Sequence, residues 1–231
     1  MNSGKIPRAD DDTCDAARIP DPGTNSVVFV RHGEPAFPGK KKYFLGKTDW
    51  ELSFEGKAQA RHVAEWAKGF TWLGCFCSPL KRARETAKII CGKTGIMPEV
   101  RHELAELDLG EWDGRRKAEI LLKYPKMVQR REANLKDFRH PGGESFADLE
   151  TRAVPFLSEL MSELMKREGR WLVVSHAGVF RVFIHNVFNL PFPLSFQYDP
   201  GYGRARVIAK TGGAVFVKGF DELRTGLEEK K

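Results

Sequence analysis

The sequence is poor in cysteine. Its four cysteines, Cys14, Cys75, Cys77 and Cys91, form no CxxC pair, and they are too few to cross-link a chain of 231 residues. We therefore expect reduced thiols in a cytoplasmic protein, with Cys75 and Cys77 as small buried residues. A metal or redox role for the thiols is the alternative.

Long apolar runs are also missing. No run approaches the roughly 20 residues that a membrane-spanning helix needs, and the N-terminal residues lack the apolar core of a signal peptide. These two absences argue against a transmembrane protein and against a secreted one.

Acidic residues are slightly outnumbered by basic ones. The 38 Lys and Arg against 31 Asp and Glu give a formal net charge of +7. This excess is compatible with an anionic partner, but it does not choose between a phosphorylated metabolite, nucleic acid and a membrane surface. Apolar residues make up 41% of the chain and charged residues 30%, which is typical of one globular domain.

The polarity pattern divides the chain into three parts. Residues 1–25 are polar and contain prolines without a helical or strand period, which predicts a flexible leader. Residues 221–231 predict a polar C-terminal tail, and residues 26–220 lie between them as the single domain.

Apolar strands alternate with helical segments along this domain. Short apolar runs at 26–30, 72–77 and 171–174 predict strands. Each is followed by a helical pattern: at 54–68, at 80–93, and after the segment Ser175 to Gly178 as far as about Asn189. Two late strands are predicted near 204–209 and 214–218. The alternation predicts an α/β fold, a three-layer α/β/α sandwich with a mostly parallel central sheet.

The middle of the chain predicts a loop and two further helices. Residues 104–114 are rich in glycine and carboxylates and predict a loop, and a helix at 117–123 ends at Tyr124-Pro125. Ser145 and Asp148 form a capping box that begins a long amphipathic helix reaching about Lys166. Pro155 predicts a kink in that helix or a later start.

Chemically versatile residues follow the predicted strands. Ligands of such sheets bind beyond the carboxyl ends of the strands, so Arg31, His32, Arg82 and His176 should approach one crevice. Guanidinium groups bind a phosphate dianion in a bidentate manner, and a neutral histidine is a competent nucleophile. A carboxyl group could protonate the leaving alkoxide. The set suits phosphoryl transfer and requires no metal.

The same residues stand in recognisable segments. Val28 to Glu34 resembles the RHG signature of the histidine phosphatase superfamily, also called the phosphoglycerate-mutase-like family. Three further family segments follow in the expected order: Ser78 to Ala83 with Thr86-Ala87, Leu104 to Glu106 with Gly110 to Gly114, and Ser175 to Gly178. The resemblance covers roughly residues 26–218, and four segments in order make it far more specific than a lone tripeptide.

The resemblance implies a role for each matching residue. His32 would be the phosphorylated nucleophile, Arg31, Arg82 and His176 would bind the transferring phosphoryl group, and Glu106 would donate a proton and then act as base. The substrate-binding set implied by the resemblance is Arg31, Gly33, Glu34, Lys47, Thr48, Arg82, Ala177 and Gly178. No cofactor and no metal is expected.

Two features favour one branch of the family. Gly46 to Asp49 with Leu52 to Gly56, and Pro141 to Ser145, look most like α-ribazole-5′-phosphate phosphatase and small broad-specificity phosphatases. The mutases usually follow RHG with a serine-x-tryptophan-asparagine run and carry a basic, tyrosine-containing insertion near the proton donor. Here Glu34 to Pro38 and a compact loop at Glu106 stand instead.

The leading hypothesis is therefore a metal-independent phosphomonoesterase that forms a phosphohistidine, with a small phosphorylated metabolite such as α-ribazole 5′-phosphate as substrate. One alternative is a phosphoglycerate-type mutase, and another is a non-catalytic module that binds a phosphorylated partner or nucleic acid. We expect no nucleic-acid partner, because no RNA-recognition or helix-turn-helix signature is present. We expect no membrane partner either, because long apolar runs are missing. The expected state is a monomer or a homodimer.

Overall fold

The computed structural model describes residues 19–39, 41–212, 214–218 and 220–225, with backbone only for the last range. The strands are β1 Asn25–Arg31, β2 Gly74–Cys77, β3 Pro98–Val100, β4 Gly169–Ser175, β5 Ala205–Thr211, β6 Ala214–Val217 and β7 Phe220–Thr225. The helices are α1 Phe54–Ala67, α2 Lys81–Thr94, α3 Lys117–Lys123, α4 Pro125–Ala133, α5 Phe146–Lys166 and α6 Ala177–Val187.

All seven strands belong to one sheet, in the order β3-β2-β4-β1-β5-β6-β7. The first four strands of that order run parallel, and β5, β6 and β7 continue the sheet with antiparallel pairings. Arg31 at the end of β1 pairs in register with Ser175 at the end of β4, and Cys77 at the end of β2 pairs with Val174. The carboxyl ends of these three strands therefore lie at one edge of the sheet.

Helices cover both faces of the sheet. Val27 and Phe29 of β1 pack into a core with α5 and α6, whereas Val28 and Val30 point to the opposite core with α1 and α2. Because neighbouring strand residues face opposite sides, burial of both sets requires a layer of helices on each side. The predicted three-layer sandwich with a mostly parallel central sheet is confirmed.

Local signals explain where the helices begin. Ser53 accepts a hydrogen bond from the Gly56 amide at 2.9 Å and caps α1, and Ser145 with Asp148 forms the predicted capping box of α5. Helix α5 begins directly at Phe146, so the later start suggested by Pro155 is wrong, and Pro155 lies inside the helix.

Several elements differ from the prediction. Helix α4 is absent from it, because the prediction ends a helix at Tyr124-Pro125, whereas proline at the first position of a helix lacks only an amide that has no helical partner. Strand β2 begins at Gly74 rather than residue 72, and the Trp72 indole instead donates to the Ala67 carbonyl. Strand β7 extends the sheet to Thr225, into the segment predicted as a polar tail.

The predicted leader falls mostly outside the described residues. Residues 1–18 are not described, and Ile19 packs against the core beneath α1 and α2. None of the described helices is both long enough and apolar enough to span a bilayer.

Candidate active site

The carboxyl ends of β1, β2 and β4 bring His32, Ser78 and His176 together. The His32 amide donates to the Ser175 carbonyl and the Ser78 amide to the Val174 carbonyl, each at 3.0 Å. The two imidazole rings lie 4.9 Å apart between centroids, and His176 Nε2 is 2.7 Å from Ser78 Oγ. The structure thus brings the two predicted strand-end histidines into one crevice.

The imidazole of His32 has a defined tautomer. Its Nδ1 lies 2.7 Å from the Gly33 carbonyl, and since a carbonyl oxygen only accepts, Nδ1 carries the proton. Nε2 is left with its lone pair, towards which Arg82 Nε donates at 3.3 Å. Burial, followed by the positive charges of Arg82 and Arg31, holds the pKa of His32 well below its usual range. The ring is therefore neutral and nucleophilic at neutral pH.

Arg82 is fully buried at the start of α2 and held by backbone carbonyls. Its Nη1 donates to the Thr48 carbonyl at 2.8 Å and its Nη2 to the Gly46 carbonyl at 2.6 Å. Burial lowers the pKa of Arg82, but a guanidinium stays charged over the whole physiological range. One turn further along α2, Thr86 Oγ1 accepts from the Gly33 amide at 3.0 Å and donates to the Arg82 carbonyl.

The carbonyls that hold Arg82 are fixed by Asp113. Its carboxylate accepts from the Gly46 amide at 2.7 Å and from the Thr48 amide at 2.6 Å. A side chain at Gly46 would place Cβ 2.5 Å from the Leu107 carbonyl, so only glycine fits this close passage between loops. Asp113 is thus a positioning residue for the arginine.

Arg31 and His176 complete the cationic and polar lining. Arg31 Nη1 donates to the Pro200 carbonyl at 3.0 Å, and its guanidinium stacks 3.9 Å from the centroid of the Tyr202 ring. Arg31 Nε and His176 Nδ1 are buried and have no hydrogen-bond partner among the described residues. Burial and then the charges of Arg82, His32 and Arg31 lower the pKa of His176 well below its usual range.

Glu106 lies against the first turn of α6. Its Oε1 accepts from the Leu107 amide at 2.8 Å and its Oε2 from the Gly178 amide at 3.2 Å. A methyl group at Gly178 would stand 2.2 Å from Glu106 Oε1, so glycine is what lets the carboxyl group approach the helix.

Sequence reasoning missed Arg152 of α5, which binds the backbone of the loop that carries Glu106. Its Nη1 donates to the Glu103 carbonyl at 2.8 Å and its Nη2 to the Glu106 carbonyl at 3.0 Å. Its guanidinium also forms a two-pronged ion pair with Glu144, at 3.0 and 3.1 Å. Glu144 in turn accepts from the Asp108 amide at 3.0 Å. One signal in the sequence could have indicated Arg152. It lies two turns into the capped helix that follows the family segment Pro141 to Ser145.

Ser78, Thr86, Asp113 and Tyr202 were likewise not proposed as site residues. Ser78 directly follows a predicted strand, and Thr86 stands four residues after Arg82, hence on the same face of a helix. Those two positions could have been found from spacing. Asp113 and Tyr202 lie in loops, and loop sequences have no hydrophobic periodicity from which the direction of a side chain could be predicted.

A cavity of about 440 Å³ opens beside the reacting groups. Arg31, Glu106, Ala177, Gly178 and Tyr202 line its catalytic end. A larger cavity, of about 880 Å³, lies between α2 and β3 and contains none of the predicted site residues, so we assign the substrate to the smaller one.

Five predicted substrate-binding residues do not line this cavity. One of them, Arg82, lies beside His32 instead. The other four stand in the surrounding loops. Gly33 is buried, and a Cβ there would lie 2.3 Å from the Gly56 carbonyl, while the Glu34 amide donates to Gln59. Lys47 forms an ion pair with Asp108 at 2.8 Å, and Thr48 contributes its carbonyl to Arg82. These residues shape the loops around the site instead of facing the cavity.

The arrangement has the parts for phosphoryl transfer. The unprotonated Nε2 of a neutral imidazole faces the fixed guanidinium of Arg82, and the carboxyl group of Glu106 borders the neighbouring cavity. Cations held in place by carbonyls stabilise developing negative charge without reorganising.

Comparisons with known proteins agree with this geometry. Two curated relatives are a 6-phosphofructo-2-kinase/fructose-2,6-bisphosphatase of Caenorhabditis elegans and a 2,3-bisphosphoglycerate-dependent phosphoglycerate mutase of a Methylobacterium species. The first is 30% identical over 72% of this chain, which spans only 35% of that relative's length. The second is 32% identical over 68% of this chain and 78% of its own length.

Solved structures show the same fold. A mycobacterial glucosyl-3-phosphoglycerate phosphatase superposes with a TM-score of 0.71 at 26% identity, covering 82% of this chain and 92% of that one. An α-ribazole phosphatase from Shigella flexneri superposes with a TM-score of 0.72 at 20% identity, covering 80% and 91%.

The family model of the histidine phosphatase superfamily, branch 1, matches residues 27–220, from within β1 to the first residue of β7. The match includes His32, Arg31, Arg82, Glu106 and His176. With the bisphosphatase relative at 30% identity and the phosphatase structure that shares the fold, this match decides the family. The chain belongs to the histidine phosphatase superfamily.

Proposed function

We propose that the chain is a metal-independent phosphomonoesterase that hydrolyses a small phosphorylated metabolite through a phosphohistidine on His32. The observation that carries the proposal is the tautomer of His32. Because Nδ1 donates to the Gly33 carbonyl, the lone pair lies on Nε2, beside the buried Arg82, where a nucleophile next to an arginine-bound phosphoryl group would have to be.

In the first step, His32 Nε2 attacks phosphorus and the bond from phosphorus to the ester oxygen breaks. The departing oxygen takes a proton from Glu106, so that an alcohol leaves. Arg31 and Arg82 oppose the charge on the phosphoryl oxygens, and the Gly33 carbonyl stabilises the positive charge that develops on the imidazole.

In the second step, water attacks the phosphohistidine. Glu106, now a carboxylate, accepts a proton from that water, the bond from phosphorus to Nε2 breaks, and inorganic phosphate is released. The hydrogen bonds from the Leu107 and Gly178 amides hold the carboxylate in place between the two steps. The same residue thus serves as acid and then as base.

Support for hydrolysis comes from the mycobacterial phosphatase structure at 26% identity. The mutase relative at 32% identity favours a second candidate, in which the phosphoryl group returns to another hydroxyl of the substrate. α-Ribazole 5′-phosphate stays a candidate substrate from the sequence resemblance, since the structure with that name shares only the fold at 20% identity.

The test is phosphate release in the presence of chelator, from α-ribazole 5′-phosphate, 3-phosphoglycerate and an aryl phosphate. We expect release by the wild-type protein and none by His32→Ala, with circular dichroism confirming that the variant is folded. Isomerised 3-phosphoglycerate without free phosphate would establish the mutase instead. Binding without either product would favour the non-catalytic module.

A further inference from the structure

Three buried thiols form a cluster between β2 and α2 that the proposed reaction does not use. Cys75 and Cys77 stand two residues apart on β2, so both face the layer that contains α1 and α2. Cys91 lies in the last turn of α2 and packs into the same core. All three are free thiols, and Cys14 lies outside the described residues. Among the described residues, thiol chemistry is therefore confined to this cluster.

Within the cluster, Cys75 and Cys91 contact each other across the interface between strand and helix. The Cys75 thiol donates a hydrogen bond to Cys91, which lowers the pKa of Cys91 against the opposing effect of burial. The same contact, followed by burial, raises the pKa of Cys75. Burial raises the pKa of Cys77 to about 11. The thiolate, which is the reactive form of cysteine, therefore forms most readily at Cys91.

Cys91 is also the partner of this contact that a small molecule can reach. It lines the cavity of about 880 Å³ between α2 and β3, and Cys75 does not. Arg84 and Lys88 stand seven and three residues before Cys91, on the same face of α2, and line the cavity too. Three cations and two carboxylates line it altogether, so its charge is positive. Cations beside an accessible thiol favour its thiolate.

A covalent link between Cys75 and Cys91 would act on the elements that lead to the reacting groups. Arg82 stands nine residues before Cys91 on the same helix, and β2 ends directly before Ser78. The sulfur atoms of a disulfide are roughly 2.05 Å apart, closer than those of hydrogen-bonded thiols, so the link draws α2 and β2 together. A displacement of roughly 1 Å at a reacting group can lower a rate a hundredfold.

We infer that Cys75 and Cys91 form a reversible disulfide when the chain meets a hydroperoxide, and that this disulfide lowers the activity proposed for His32. The oxidation of the thiols is independent of the proposed function, whereas the loss of activity rests on it. The Cys75–Cys91 pair is thus a modification site on the far side of α2 from the reacting groups.

The oxidation proceeds in two balanced steps. The Cys91 thiolate attacks one peroxide oxygen, the O–O bond breaks, and the departing oxygen takes a proton and leaves as water or as an alcohol. The peroxide gains two electrons, and Cys91 becomes a sulfenic acid. The Cys75 sulfur then attacks Cys91 Sγ, the S–O bond breaks, and the Cys75 thiol proton leaves with the hydroxyl group as water. A thiol reductant restores both thiols by exchange.

The test treats the reduced, full-length chain with hydrogen peroxide, alkylates the remaining thiols and maps all four cysteines by mass spectrometry without reduction. Cys75→Ala is compared with Cys77→Ala, a matched change two residues further along the same strand. Cys91→Ala reports the background oxidation. Circular dichroism checks that each variant is folded, and hydrolysis of nitrophenyl phosphate is measured before and after oxidation.

We expect a cross-link between Cys75 and Cys91 of the same chain in the wild-type protein and in Cys77→Ala. The value of kcat/KM should fall at least tenfold on oxidation and return with dithiothreitol. In Cys75→Ala the reaction should stop at a sulfenic acid on Cys91, which dimedone traps. Cys91→Ala should form no cross-link and keep its activity in peroxide.

Three results would overturn the inference: no cross-link, a cross-link that uses Cys14 or Cys77 instead, or an oxidised protein that is as active as the reduced one. The proposed function fails separately. If the reduced protein hydrolyses no ester, the map of the cysteines still decides whether Cys75 and Cys91 form the disulfide.

Discussion

Gly178 sets the distance between the carboxyl group of Glu106 and helix α6. Its amide donates to Glu106 Oε2, and the space that a Cβ would need is occupied by Oε1 at 2.2 Å. Glycine is required at position 178 because the Glu106 carboxylate comes so close to it, and not because of its backbone torsion angles. Glycine at this position thus helps to place the carboxyl group of Glu106, the proton donor that we propose.

Gly178→Ala should displace Glu106 and lower kcat for an alkyl phosphate about a hundredfold, the usual effect of misplacing a reacting group by roughly 1 Å. The matched control is Gly92→Ala in α2, where a new methyl group meets nothing within 4 Å. Steady-state kinetics of both variants check this. Equal activity of the two variants would contradict the assigned position of Glu106.

Single residues also show how far sequence alone reaches. The types and order of Arg31, His32, Arg82 and His176 follow from strand ends and from the resemblance, and the structure brings these side chains together. Lys47 and Thr48 stand in a matching segment too, yet Lys47 pairs with Asp108 and Thr48 offers only its carbonyl. Which way a loop side chain points depends on partners remote in sequence, and no local pattern encodes it.

Between elements, the Glu106 loop is tied to α5 by Arg152. The guanidinium is satisfied by the Glu103 and Glu106 carbonyls and by the Glu144 carboxylate. A charged group held in this way positions a segment more firmly than a neutral hydrogen bond does. Arg152 is therefore a positioning residue for Glu106, the proton donor that we propose.

Arg152→Gln should lower kcat mainly for substrates that need a protonated leaving group. We expect a loss of about a hundredfold for an alkyl phosphate, within the range of general acid catalysis, and a much smaller loss for a nitrophenyl phosphate, whose leaving group is stable as an anion. Arg152→Lys should recover part of the difference.

The control for this experiment is Arg139→Gln, an exposed arginine paired with Asp148 near the same turn. An equal loss on both substrates in Arg152→Gln would mean general structural damage. That result would contradict a positioning role for Arg152.

Element boundaries were predictable where the signal is local. The start of α5 is predicted directly by the capping box of Ser145 and Asp148. Helix α4 is not predicted, since a proline both ends one helix and begins the next. Strand β7 pairs only with its neighbour β6, and its polar sequence, Phe220–Thr225, carries no alternating apolar pattern.

At the scale of the whole molecule, the sheet order could be anticipated only in part. Alternating strands and helices imply parallel strands whose ends meet, and this was enough to predict the crevice. The order itself depends on long-range pairing, such as β1 between β4 and β5, that no short segment specifies.

Whole-molecule stability should depend on pH through the buried histidines, since burial lowers the pKa of His32, His140 and His176. The shift is largest for His32 and His176. Folding lowers the pKa of His32 and of His176 well below about 6.5, the value of an unperturbed histidine. Below that pH the unfolded chain binds protons that the folded chain does not. The contribution of these groups is therefore present in full above about pH 6.5 and is lost as the pH falls towards their folded-state pKa values.

Chemical denaturation at pH 7.5 and pH 5.5 measures the loss in free energy of unfolding. Each histidine can contribute a loss of up to about 1.4 kcal/mol per pH unit. His176→Gln should lose less of its free energy of unfolding between the two pH values than the wild-type protein. The exposed His62 provides the control, because His62→Gln should retain the wild-type loss. The same loss in all three proteins would contradict neutral burial of His176.

The most direct measurement of the central claim is to trap the phosphorylated protein. The wild-type protein is mixed with an aryl phosphate, quenched in alkali, where phosphohistidine survives, and digested for mass spectrometry. The account predicts a phosphoryl group on His32 that forms faster than steady-state turnover and is absent from His32→Ala. Turnover without any phosphorylated peptide, or with the phosphoryl group on another residue, would contradict it.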